Sequence, residues 1–302
     1  MQTLRNSAQV QAEIKRTRHR MEQPLYILFS IGMILLLLFC LLAGYGTTLM
    51  DHYGSTPEEI ETFEVLKMIG YGLPLVLVLY LVFVALFGHY ICYGKVLSNA
   101  IRVTEKNFPE IYEKSREFAG LLGMKKVPEV YIAQENGSLN AFATIVPGRK
   151  YIQLNAEIVD VAYMENHDLE TVSFVMGHEF GHLYFKHSGI VHHILTFVGR
   201  LIPIVGPLLS RSQEYSCDRV AQALTASAGT REMMMMAAGR HLYYYADAQD
   251  YIDNILKKRN FVERLSVWVT SILSSHPIIP LRLAALADPQ KKSGALFSLK
   301  FR

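Results

Sequence analysis

Two histidines four residues apart, with a glutamate between them, are the strongest chemical signal in the chain. They stand in the run HEFGH, which places His178, Glu179 and His182 together. Residues four apart on a helix lie on the same face, so both imidazoles can face one ion. Glu179 is offset by one position and can reach a water on that ion without binding the ion itself. Because zinc lowers the pKa of such a water and a carboxylate can take its proton, the motif indicates hydrolysis.

The motif alone is weak evidence for a zinc site. In a chain with 11 histidines, a chance match arises with a probability on the order of one in a hundred. The alternative is a helix that carries two ordinary histidines. The apolar stretch TVSFVMG that leads into the motif, and the small Gly181 within it, favour the zinc helix.

A catalytic zinc ion needs a third protein ligand and an open position. Metzincins would require Gly and His where this chain has Phe185 and Ser188, which excludes that class. The later run SQEYSCDRV, from Ser212 to Val220, places Glu214 and Asp218 four apart on one helix face. Glu214 can supply the third ligand, and Asp218 can accept a hydrogen bond from a ligand histidine and fix its tautomer.

Two other interpretations of these residues stay open. The acidic pair could be a solvated helix face beside Arg211 and Arg219. His187 is a weaker rival as third ligand, because five residues beyond His182 correspond to about 140° around a helix. We therefore expect Glu214 to be the ligand.

The elements around these motifs indicate a small sheet followed by helices. Strands are expected at Val127–Ala133, Ala141–Val146 and Lys150–Leu154, with a turn at Pro147-Gly148-Arg149 between the last two. Helices are expected over Lys95–Met124 with a new start at Pro109, from about Asp168 through the motif, and from Ser212 to about Arg259. The predicted fold class is α+β and mostly helical.

Two apolar runs predict an anchor in a lipid bilayer. Leu25 to Gly46 carries no charge, and its 22 residues would make a helix of roughly 33 Å, enough to cross the hydrocarbon. Leu73 to Cys92 is broken only by His89. The first run exceeds the apolar region of a signal peptide and lacks an A-x-A cleavage site. The overall charged fraction of 19% also lies below the roughly 25% of soluble domains.

The charges that flank the runs predict their orientation. Before the first run stand Arg5, Lys15, Arg16, Arg18 and Arg20; the loop between carries Asp51, Glu58, Glu59, Glu61, Glu64 and a single Lys67; Lys95, Arg102 and Lys106 follow the second run. Since Lys and Arg favour the cytoplasmic side, we expect the N-terminus and the catalytic part in the cytoplasm. Residues 1–94 would form the anchor and residues 95–302 the catalytic domain.

Composition argues against two other classes of protein. The net charge of +3, without a basic run interleaved with aromatics, predicts no nucleic-acid partner. Cys40, Cys92 and Cys217 form no disulfide framework, so a reducing compartment is expected.

With HEFGH followed by EYSCD, the chain resembles the M48 family of zinc metallopeptidases, which includes the heat-shock protease HtpX and the CAAX prenyl protease. The resemblance covers roughly residues 95 to 285 and rests on four further segments: residues 100–132, Asn140-Ala141-Phe142-Ala143, residues 169–187, and Ser275-His276-Pro277 with Arg282. The chain departs from HtpX-like members in having only residues 190–209 where they carry two further spans. His192, His193, Arg200, Pro203 and Pro207 interrupt this segment, which we expect to form a hairpin on or in the membrane surface, leaving a more open site.

The resemblance implies a zincin-like (gluzincin) domain and a role for each site residue. One zinc ion would be bound by His178, His182 and Glu214, with Glu179 as general base and then proton donor to the leaving amine. Asn140 and Ala141 would lie on an edge strand that pairs with the substrate backbone. His276 or Arg282 would stabilise the oxyanion.

The sequence therefore predicts an endopeptidase of a bacterial inner membrane that acts on protein or peptide substrates in membrane-protein quality control. The main alternative is a non-catalytic membrane scaffold or adaptor with a structural zinc site. A further alternative is a zinc hydrolase that acts on small molecules, which the predicted edge strand disfavours. Glu179 favours the enzyme, because a structural site needs ligands but no base.

Overall fold

The computed structural model describes residues 6–51, 56–165, 169–256, 260–288 and 294–296. Arg5, one of the basic residues before the first apolar run, lies outside these ranges. So do Asp168 and Arg259, at the ends of two predicted helical segments. The described helices are α1 (Ser7–Thr17), α2 (Glu22–Asp51), α3 (Pro57–Lys67), α4 (Leu73–Asn99), α5 (Pro109–Leu121), α6 (Ala156–Asp160), α7 (Leu169–Tyr184), α8 (Ile190–Leu201), α9 (Gly206–Thr225), α10 (Thr230–Leu242), α11 (Ala248–Leu256), α12 (Phe261–Leu273) and α13 (Ile279–Ala287). The strands are β1 (Ile101–Arg102), β2 (Glu129–Ala133), β3 (Ala141–Val146) and β4 (Arg149–Asn155).

The four strands form one sheet in the order β1-β2-β4-β3. β2 and β4 are parallel, whereas β1 pairs antiparallel with β2, and β3 antiparallel with β4. The three predicted strands are confirmed, and the mostly helical α+β class is correct. β3 lies at one edge of the sheet, with Ala143 opposite Ile152.

The predicted helix over Lys95–Met124 is wrong in its first half. α4 ends at Asn99, and Ile101 and Arg102 pair with β2 instead of continuing the helix. The new start at Pro109 is confirmed. Phe108, just before it, has a φ of 59° and so lies outside the right-handed helical conformation, which a following proline disfavours.

Two helices are long and apolar enough to cross a membrane, over Glu22–Leu49 and over Glu59–Asn99, where α3 and α4 are joined by a π-helical stretch. Of their most apolar windows, 17% and 0% respectively are buried against the rest of the protein. Such exposed apolar faces are typical of helices that contact lipid. The acidic residues expected in a loop between the spans lie mostly on α3, which begins with a capping box formed by Thr56 and Glu59.

The chain enters the main core before the first long helix. Val10 and Ile14 of α1 are buried in the same hydrophobic cluster as Phe118 of α5 and Phe180 of α7. The proposed division at residue 94 stays a prediction, but α1 packs with elements that follow it, α5 and α9.

Residues 190–209 form a helix, a short turn and the start of α9. α8 is apolar and packs against α2 and α4. Its 12 residues span only about 18 Å, too short to cross a bilayer. Pro203 lies in the turn and Pro207 in the first turn of α9, where a proline costs no hydrogen bond. The expected position at the membrane surface stays a prediction.

Candidate active site

α7 and α9 bring the predicted ligands together. His178 and His182 lie on one face of α7, with their Nε2 atoms 3.3 Å apart. The Glu214 carboxylate, from α9, lies 3.5 Å from His178 Nε2 and 3.4 Å from His182 Nε2. All three groups offer a metal-ligating atom to a common centre.

These separations fit a zinc ion. Tetrahedral ligands at metal–nitrogen distances of 2.0–2.1 Å lie about 3.3 Å from one another. Two imidazole nitrogens and one carboxylate form the donor set of several catalytic zinc sites. The residues present can therefore hold the ion that the sequence predicts.

Asp218 and Arg282 lie behind the first histidine. His178 Nδ1 is 2.9 Å from Asp218 Oδ1, so its Nδ1–H donates to the carboxylate and its Nε2 is directed towards Glu214. Arg282 donates to both oxygens of Asp218, at 2.9 and 2.5 Å. All of these side chains are buried.

The site concentrates negative charge. Burial alone would lower the pKa of His178, but hydrogen bonds to Asp218 and Glu214 raise it to about 10. Burial alone would raise the pKa of Glu214, yet hydrogen bonds from His178, His182 and His276 hold it well below its usual range. Two carboxylates that favour a protonated imidazole also favour a metal cation.

Glu179 lines the same pocket, which has a volume of about 350 Å³. The pocket is bounded by α7 and α9, which carry the three predicted ligands, and by residues Leu139–Ala143 at the edge of the sheet. Burial raises the pKa of the Glu179 carboxyl. A carboxylate with a raised pKa is a better proton acceptor, as a general base requires.

His276 and Arg282 differ in their access to the pocket. His276 Nδ1 lies 3.1 Å from Glu214 Oε2, and 66% of its side chain is exposed. The Arg282 side chain is only 5% exposed, and its guanidinium is held by Asp218. Both residues line the pocket, but His276 is the more accessible of the two, whereas Arg282 is bound to Asp218 and lies 3.5 Å from Glu214 Oε2.

Asn140 immediately precedes the edge strand β3. Its backbone carbonyl accepts from the Asn155 N–H and its side-chain oxygen from the Ala141 N–H, both at 3.0 Å. The Ala143 carbonyl accepts from the Ser188 hydroxyl at 2.7 Å. Because backbone groups alternate along an antiparallel pair, Ala141 and Ala143 direct theirs away from β4. This edge lies beside the predicted ligands.

Residues 105–290 match the family model of peptidase family M48. The chain belongs to peptidase family M48. The matched segment contains α7, α9 and α13, and so every residue brought together above. No curated protein and no solved structure matches the chain. Membership supports a metallopeptidase; the two long apolar helices suggest association with a membrane.

Two glycines in α7 allow α7 and α9 to pack closely. A Cβ atom on Gly177 would lie 3.2 Å from the Ala221 Cα, and one on Gly181 would lie 3.0 Å from the Cys217 Cα. The small residues of both helices recur at a spacing of four, which is one turn. Their close approach brings Glu214 within reach of both histidines.

Gly181→Ala is expected to destabilise the M48 domain by about 1–3 kcal/mol, since the added methyl group must displace α9. Zinc affinity should fall in the same variant, because α9 carries Glu214. Thermal unfolding and zinc titration of the detergent-solubilised protein measure both effects. Gly120→Ala is the matched control: this helical glycine has nothing within 4 Å of an added Cβ. Equal stability and affinity in the two variants would contradict the packing argument.

Sequence reasoning gave His187 a geometry that the M48 domain does not have. The helical rotation of about 140° assumes that the helix continues, but α7 ends at Tyr184 and the chain turns at Lys186, with a φ of 61°. His187 Nδ1 thereby lies 3.2 Å from His182 Nδ1, on the side away from Glu214. Glu22, in the first turn of α2, contacts His187 and carried no signal in the sequence beyond its place beside an apolar run.

Proposed function

We propose that this M48 member is a membrane-anchored, zinc-dependent endopeptidase. The observation that carries the proposal is the arrangement of His178, His182 and Glu214 at the separations of a tetrahedral site, with Glu179 in the same pocket. A structural zinc site is closed by four protein ligands, whereas here three ligand groups converge and Glu179 lies beside them in an open pocket.

The three ligands would hold one zinc ion, and Asp218 would orient His178. A zinc ion bound there supplies a Lewis acid and lowers the pKa of an attacking water. Glu179 accepts the proton of that water and then donates it to the leaving amine. The raised pKa of Glu179 suits both steps.

We assign different roles to the two C-terminal residues. His276 is exposed to the pocket and would donate a hydrogen bond to the oxyanion that forms on the scissile carbonyl. Arg282 is a positioning residue, because its guanidinium binds Asp218 and through it fixes His178.

The substrate would be an extended peptide that pairs with β3. Ala141 and Ala143 direct backbone groups away from β4, and the edge runs along the pocket. The Ala141 N–H is covered by the Asn140 side chain, which would turn aside when a peptide strand binds. A small molecule would not need such an edge.

The anchor supports a role near the bilayer. The basic flanks of the two apolar helices support an orientation with the N-terminus and the catalytic part in the cytoplasm, as expected for a bacterial inner-membrane protein. An open cytoplasmic site fits damaged or unassembled membrane proteins as substrates, and thus quality control.

The full-length protein in detergent tests the proposal. We expect one zinc ion per chain and cleavage of casein, which stops when 1,10-phenanthroline removes the metal and returns on addition of zinc. Cleavage that persists in metal-free protein would contradict a zinc peptidase. Tight zinc binding without cleavage of casein or of unfolded membrane proteins would favour the scaffold.

A further inference from the structure

A chain of hydrogen bonds leads from the second histidine to the first membrane helix. His182 Nδ1 lies 3.2 Å from His187 Nδ1, and His187 Nε2 lies 3.0 Å from Glu22 Oε1. His187 and Glu22 are both buried. These hydrogen bonds lead away from the pocket that contains Glu179, and neither His187 nor Glu22 lines that pocket. Neither residue is therefore in a position to touch a substrate there.

We propose that Glu22 is a positioning residue for the metal ligand His182 and acts through His187. The proposal rests on the zinc site proposed above. It gives the second histidine an orienting carboxylate, as Asp218 gives one to the first. Glu22 lies outside residues 105–290, which match the family, so the anchor would contribute to the metal site.

The proton positions of the three groups follow from Glu22. A carboxylate only accepts, so His187 must donate its Nε2–H to Glu22. A neutral imidazole then keeps Nδ1 as an acceptor, to which His182 donates its Nδ1–H. This fixes the His182 tautomer that leaves Nε2 free for the metal.

The surroundings hold the Glu22 carboxylate in place. One oxygen accepts from Arg18, whose Nε lies 3.0 Å away, and the other accepts from the Ser216 hydroxyl. Arg18 in turn lies over the Phe185 ring, 4.4 Å from its centroid. Ser216 belongs to α9, the helix that also carries Glu214. Glu22 is therefore fixed to the same helix as the third ligand.

The Cys217 thiol offers a different interpretation of the same cluster. Its Sγ lies 3.7 Å from His187 Nδ1, and His182, His187 and Cys217 could hold a second ion. That ion would require His182 to ligate metals through both ring nitrogens and so to lose both protons. Burial also raises the pKa of the Cys217 thiol, which disfavours the thiolate that binds metals. The hydrogen-bonded chain needs neither change.

Zinc affinity of the full-length protein in detergent tests the proposal, by competition with a chromogenic chelator. Glu22→Gln and His187→Gln should each weaken zinc binding about 10–100-fold. The double variant should bind zinc no more weakly than the more strongly affected single variant, because both substitutions break the same chain of hydrogen bonds. Glu263→Gln is the matched control, since Glu263 also lies in the first turn of a helix, α12, but is exposed. It should bind zinc as the wild type does.

Thermal unfolding of the metal-free variants separates loss of affinity from loss of fold. Unchanged affinity in Glu22→Gln, or additive losses in the double variant, would overturn the proposal. A zinc content of two ions per chain in the wild type and of one in Cys217→Ala would also overturn the proposal. If Glu22→Gln does not fold, His187→Gln decides, and wild-type affinity there overturns the link. A wild type that binds no zinc would instead overturn the proposed function.

Discussion

Glu179→Gln is expected to lower kcat for casein cleavage by about 10²–10⁴-fold, the usual contribution of a general base. Glutamine has nearly the shape of glutamate but cannot accept the proton of the attacking water. Glu179 is not among the three groups that converge on a common centre, so the variant should keep its zinc. Zinc content and cleavage rate, measured on the same preparation, check both statements.

Glu170→Gln is the control for this prediction, because Glu170 lies in the first turn of the same helix and is exposed. It should cleave casein at the wild-type rate. A Glu179→Gln protein that retains zinc and full activity would remove the base from the mechanism. One that loses its zinc would show that Glu179 is needed for metal binding.

Arg282→Leu is expected to destabilise the protein by about 3–5 kcal/mol, the usual cost of leaving a buried charge without its partner. Arg282 makes two hydrogen bonds to Asp218, and both side chains are buried. Without it, the Asp218 carboxylate stays buried beside Glu214 with less compensating charge. Thermal unfolding of the metal-free protein in detergent measures the loss.

The double variant Asp218→Leu/Arg282→Leu distinguishes the fold from the site. Replacing both members of a buried ion pair by apolar groups is often neutral, so much of the lost stability should return. Zinc affinity should remain low, because His178 has lost the acceptor that fixes its tautomer. An Arg282→Leu variant as stable as the wild type would contradict the pairing.

Local patterns explain why parts of the fold were predictable. The turn at Pro147-Gly148 and the alternating residues on both sides of it gave β3 and β4, and the spacing in HEFGH gave a helix with both histidines on one face. The pair of Glu214 with Asp218 was predictable for the same reason. In each case, residues within one turn or hairpin determine the geometry.

The failures concern contacts between distant segments. β1 exists because Ile101 and Arg102 pair with β2, about thirty residues later, and their own pattern is compatible with a helix. The start of α3 could have been predicted, because Thr56 and Glu59 have the T-x-x-E spacing of a capping box. The rest of α3 was not predicted, because the acidic residues between the two apolar runs were interpreted only as an indicator of membrane orientation.

The site shows the same division. Sequence spacing could place Asp218 near a histidine, but not Arg282 on Asp218, since these two residues lie on separate helices 64 positions apart. Glu22 is 165 positions from His187 and reaches it only because α2 packs beside α9. A rotation angle computed for a continuing helix could not describe a turn that ends it.

The peptidase core has two rigid connections to its long apolar helices. At one, Glu22 begins α2 inside the core; at the other, α4 runs into the sheet, where Tyr93 and Val96 pack with Tyr151 and Phe142. A core joined at two points cannot swivel as it would on a flexible tether. If the helix pair crosses a bilayer, the groove along β3 keeps a constant height and heading above the lipid. Substrates would then arrive by lateral diffusion, and distance from the lipid surface would help to select the bond that is cut.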